Sequence, residues 1–106
     1  MLLNFSPMRH PEALTLSRAG DCLVINGESF DFSGIPEGAT LPRTAVNCPW
    51  LASDIDRIDA QLHLTLILPH GVHAPQDTLF PEVVLASMDG PIALPAYELP
   101  EEEGFA

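Results

Sequence analysis

Basic side chains are scarce in this chain: four stand against fifteen acidic ones among 106 residues, for a formal charge of −11. A field of that sign repels a nucleic-acid backbone and an anionic membrane surface, so neither is expected as a partner. A basic protein partner, or cations, would suit it. Cysteine is scarce too. Cys22 and Cys48 are too few for a disulfide scaffold and do not form a Cys-x-x-Cys pair, so both read as buried, reduced thiols. Long hydrophobic runs are missing: no segment reaches the roughly 20 apolar residues of a spanning helix, and Met1 to Pro7 has neither the basic start nor the apolar stretch of a secretory signal. The expected location is the cytoplasm, with association with a virion as the alternative. The glycines form no Gly-x-x-x-x-Gly-Lys phosphate cradle, and no Gly-x-Ser-x-Gly elbow exposes a nucleophile. No catalytic residue is assigned and no cofactor is expected.

What is present describes a globular chain. Hydrophobic residues make up 46% of it, enough for one core, and the length fits one domain. Eleven prolines and seven glycines would interrupt long helices repeatedly, because proline lacks the amide proton and clashes with the preceding turn. The expected fold is therefore all-β: a small antiparallel meander of about six to eight short strands, forming a sandwich or a partly open barrel. Residues 1–95 make its single domain and residues 96–106 an acidic, flexible tail.

Alternation marks the strands. Leu14 to Arg18 alternates apolar and polar residues, Ala19-Gly20-Asp21 breaks it, and Cys22 to Ile25 resumes an apolar run, which is a hairpin signature. Asn26-Gly27 tolerates the positive φ angles of a tight turn, so Glu28 to Phe32 should fold back as a third strand. From Ser33 to Pro49 the chain is a stiff connection, with a short edge strand or one helical turn between Thr40 and Val46. Leu51 to Ile58 then leads through Asp59-Ala60 into Gln61 to Leu68, where Leu62, Leu64, Leu66 and Leu68 recur at period two and should share one inward face. A two-residue turn at Asp59-Ala60 sets Ile55 opposite Leu64 and Asp56 opposite His63; the opposite parity of Ile55 and Ile58 allows a bulge. Phe80 to Leu85 and Ile92 to Leu94 read as two more strands, joined by a turn at Asp89-Gly90-Pro91.

Candidate functional residues concentrate in the Pro69 to Pro81 loop, about as long as structureless loops in compact domains become. His70 and His73 lie three apart, and imidazole is a common ligand for zinc-like ions. Two ligands make no site, and solvated surface histidines are the plainer reading. His63 and Asp77 are the residues available to complete a metal set. Asp54, Asp56 and Asp59 superficially resemble a calcium loop, but the spacing and the strand context fit a solvated strand and turn better, with Asp56 paired to His63. Cys22 and Cys48 have apolar or turn neighbours rather than those of a catalytic thiol. Trp50, at the mouth of a strand, is assigned to core packing over an exposed anchor.

Leu16 to Asp21, Ile25 to Phe32, Pro36 to Pro42 and Leu62 to Gly71 together resemble a group of small uncharacterised proteins encoded in tailed bacteriophages and prophages. The resemblance spans fold-forming segments and turns. It implies a small accessory or structural protein of phage origin, such as those of the tail region, and carries no activity or site residues with it. Asp59-Ala60 departs from the Asp-Gly turn expected there. The resulting expectation is a non-enzymatic module that presents the 69–81 loop, with His70, His73 and Asp77, to a protein partner. The alternatives are a metal-binding protein or metal-dependent enzyme using His70 and His73, and an oligomeric virion component that self-associates through strand edges.

Overall fold

The computed structural model describes residues 1–97, and most of the tail expected over 96–106 lies outside the described residues. The fold is all-β and sandwich-like, with no closed barrel. Among the described residues nine strands follow one another: β1 (Leu2–Arg9), β2 (Leu16–Ala19), β3 (Cys22–Ile25), β4 (Glu28–Asp31), β5 (Thr40–Leu41), β6 (Ile55–Ile58), β7 (Gln61–His70), β8 (Val84–Leu85) and β9 (Gly90–Ile92). A 3-10 turn covers Arg43–Ala45 and a single helical turn, α1, covers Gln76–Leu79. One sheet has the order β5-β6-β7-β1-β8 and the other β4-β3-β2-β9. Among the described residues no helix is long and apolar enough to cross a membrane.

The smaller sheet follows the alternation in its sequence. Asn26 and Gly27 take φ of 48° and 86°, the left-handed pair a tight hairpin turn needs, and this sets Ile25 opposite Glu28 and Leu23 opposite Phe30. Leu16 pairs with Ile25 on one side and Ile92 on the other, so Leu16, Leu23 and Ile25 are buried on a common face. They meet Leu3, Ile55, Leu62, Leu64, Leu66 and Leu68 of the larger sheet in one hydrophobic cluster. The period-two leucines of β7 all point inward, as their spacing requires.

The larger sheet is not a plain meander. β1 lies beside β7 in parallel, from Leu2↔His63 to Arg9↔His70, and the N-terminal segment, which showed no strand signal beyond Leu3 and Phe5, forms one of the longest strands. Parallel neighbours need a long crossover, and the chain from β2 to β6, which includes three strands of the smaller sheet, supplies it. The turn expected at Asp89-Gly90-Pro91 is also corrected: Gly90 and Pro91 pair with Arg18 and Ser17 inside β9, while β8 pairs with β1 in the other sheet. The last two strands therefore lie in different layers instead of forming a hairpin. β6 and β7 run in register from Asp56↔His63 to Ile58↔Gln61, so no bulge separates Ile55 from Ile58; the irregularity comes earlier, where the Leu51↔Leu66 bridge is offset from that register. Ile58 simply faces outward.

Two of the four basic residues tie the layers together. From β6, Arg57 donates through Nε to the Ile35 carbonyl and through a terminal nitrogen to Asp21 at 3.0 Å and to the Phe32 carbonyl at 3.2 Å. From β2, Arg18 donates to the Ala86 carbonyl at 2.8 Å, next to β8. Each guanidinium satisfies backbone oxygens that no strand partner reaches, at charge-assisted strength.

Asp59-Ala60 closes the β6–β7 hairpin with φ of 52° and 63°. Ala60 has no glycine-like freedom there, and the left-handed conformation costs about 1–2 kcal/mol. Glu37 compensates by accepting the amide protons of Asp59 at 2.7 Å and Ala60 at 2.6 Å.

Candidate functional site

The 69–81 loop is shorter and better anchored than its composition suggests. Pro69 and His70 belong to β7, and Pro69 is buried. Bonds from β7 toward the β6 side end at the Ile67 amide, which donates to the Trp50 carbonyl at 2.8 Å, so the missing proton of Pro69 leaves no ladder bond broken. Pro75, extended at φ −70° and ψ 163°, leads into α1, where a missing amide proton costs nothing. Thr78 of α1 is fully buried, and its hydroxyl donates to the Ala96 carbonyl. Gly71 donates its amide proton to the Tyr97 carbonyl at 2.9 Å, and the Tyr97 hydroxyl donates to the His10 carbonyl. Residues 96 and 97 are thus tied to the body of the domain. Thr78 is the anchor that sequence reasoning missed, because a threonine between Asp77 and Leu79 carries no periodic signal of burial.

The three expected site residues occupy different environments. His70 is half-buried, and its Nδ1 lies 2.9 Å from the Gly71 carbonyl oxygen, a contact that places the proton on that nitrogen. His73 and Asp77 are exposed. Among the described residues no three His, Cys, Asp or Glu side chains converge on a common ion position. His63, the other residue considered for such a set, sits on the outer face of β7 opposite Asp56.

The aspartates around β6 have structural work. Asp56 accepts from the Thr40 hydroxyl and Asp54 from the Arg43 amide at 2.8 Å, so they join β5 and the 3-10 turn to the β6 segment. The Asp56–His63 relationship is one of register, while the Asp56 hydrogen bond goes to Thr40. Cys22 and Cys48 are free and half-buried. Loss of hydration, then the neighbouring Asp31, pushes the Cys22 thiol above its ordinary value, and burial does the same for Cys48; both are therefore poor thiolate nucleophiles. Trp50 packs partly buried against the core, with its ring 4.9 Å from that of His10.

The most distinctive surface lies just beyond the loop. Among the described residues, the exposed large apolar side chains are Met8, Ile58, Val72, Leu79, Phe80, Val83, Leu85 and Met88. Five of these eight fall between residues 79 and 88, and Phe80 is 72% exposed. The segment bends at Phe80 and pairs with β1 only through Val84↔Leu3 and Leu85↔Leu2. Beside it opens a cleft of about 310 Å³ lined by Asp77, Phe80, Glu82, Val84 and Pro95. Exposed apolar residues scattered singly are ordinary, and five of them within ten residues beside a cleft are the less usual feature. The sequence signal for it was present as the stretch Phe80 to Leu85, which reads as a short strand; only Val84–Leu85 of it takes that form.

Compared with known proteins, the chain matches no family model, no curated protein and no solved structure.

Proposed function

We propose that this chain is a non-enzymatic interaction module, a β-scaffold that presents the 69–81 loop and the adjoining 79–88 segment to a protein partner. The observation that carries this reading is the concentration of exposed Leu79, Phe80, Val83, Leu85 and Met88 in one short stretch. Such a patch, rimmed by polar residues, is what a partner's apolar side chains cover on binding. The anchoring of α1 through Thr78 supports it, because a surface held in place loses less conformational entropy on association. The likeness to accessory proteins of tailed phages is in keeping with a role in an assembly.

The test is affinity capture from cells that carry the gene, with the native chain and a Phe80→Ser/Leu85→Ser variant as parallel baits. Both positions are exposed, so the variant keeps the fold, as circular dichroism would verify. A partner held by the native chain and lost by the variant supports the proposal. Recovery of the same partners by both baits, or of none by the native chain, overturns it.

A further inference from the structure

Resting on that reading, we infer that the cleft beside Phe80 receives an arginine or lysine side chain from an extended, partly apolar segment of a partner protein. Its lining combines the two kinds of surface that a long cationic side chain needs. Phe80, Val84 and Pro95 are apolar, and Asp77 and Glu82 are acidic. Neither carboxylate has a hydrogen-bond or ion-pair partner among the described residues, and no basic residue lines the cleft. A methylene stem can lie on the apolar part while its charged head meets the carboxylates, and a guanidinium can also stack on the exposed Phe80 ring. At about 310 Å³ the cleft is at the small end of ligand clefts, which run roughly 300–1,000 Å³. That size suits a side chain rather than a bulky ligand.

Charge decides which occupant fits. The net charge of −11 draws basic segments toward the surface and holds acidic ones away. A second copy of this chain is a poor occupant, since it brings the same charge. Its Arg18 and Arg57 are engaged with carbonyls inside the fold, which leaves Arg9 and Arg43 as its exposed cations. A foreign extended segment carrying basic and apolar residues on one face, at every second position, meets both requirements: its apolar residues cover Leu79 and Val83 while a basic one enters the cleft.

The experiment is an NMR titration of the intact, isotope-labelled chain with a capped peptide in which Arg and Val take turns at every second position with Ser between them, beside its counterpart with Glu in place of Arg. The Arg peptide is expected to shift the amide signals of Asp77, Phe80 and Glu82 saturably, with affinity falling as salt is added. The Asp77→Asn/Glu82→Gln variant should bind about tenfold more weakly, the combined worth of two exposed ion pairs. Absence of a saturable shift, equal binding of the Glu peptide, shifts that map elsewhere, or undiminished binding by the variant would each overturn the inference. So would free spermidine binding as tightly as the peptide, which would make the cleft a site for small cations. If a captured partner depends on Phe80 and Leu85 but not on Asp77 and Glu82, this inference falls while the interaction module stands.

Discussion

β7 and the 79–88 segment are stretches of ten residues that are both rich in apolar side chains, yet one forms the centre of the core and the other lies in solvent. β7 has paired strands on both sides, β6 antiparallel and β1 parallel, so its backbone is held extended and four leucines face inward together. The second segment begins at the end of a single helical turn, bends at Phe80 and joins the sheet through two residues of β8. With a single neighbouring strand it turns only Ala86 and part of Val84 toward the core and leaves Leu79, Phe80, Val83, Leu85 and Met88 exposed. Backbone pairing, rather than apolar content, decides which stretch becomes core.

Several substitutions would break or sharpen this contrast. Leu66 is fully buried, and Leu66→Ala should cost about 2–5 kcal/mol, measured by urea unfolding; a cost near zero would mean that β7 is not the core strand. Arg57→Ala should rank next, at about 2–4 kcal/mol, because it strands the Ile35 carbonyl and leaves Asp21 unpaired where the layers meet. Ala60→Gly should stabilise the chain by up to about 1 kcal/mol by relieving the left-handed alanine that Glu37 supports, visible as a raised Tm. The smallest effect belongs to the other region. Phe80→Ser, in the exposed segment, should leave unfolding within about 0.5 kcal/mol of the native chain, and a large loss would show that Phe80 packs in solution.

The sequence made the local part of the fold legible and left the long-range part hidden. Asn26-Gly27, the alternation around it and the period-two leucines of β7 each encode their geometry within a few residues, and each takes the expected form. The Asp56–His63 register followed from the turn length alone. The parallel placement of β1 did not, because Leu2 to Arg9 has only Leu3 and Phe5 in phase before Ser6 to Arg9 become exposed, and no local pattern names a partner strand some sixty residues away. The assignment of β8 and β9 to different layers was hidden for the same reason: Asp89-Gly90-Pro91 carries turn chemistry but lies in a strand. Candidate site residues were partly legible. The 69–81 loop was singled out by its histidines and prolines, whereas the apolar patch beside it read as an ordinary strand, since alternation cannot tell a paired stretch from one left at the rim.

Residue-resolved hydrogen exchange, with and without a captured partner, tests the central contrast most directly. The account predicts that β7 amides exchange only through global unfolding in both conditions, while amides of residues 79–88 exchange early in the free chain and slow when the partner binds. Protection of 79–88 in the free chain equal to that of β7, or exchange there unchanged by the partner, would contradict it.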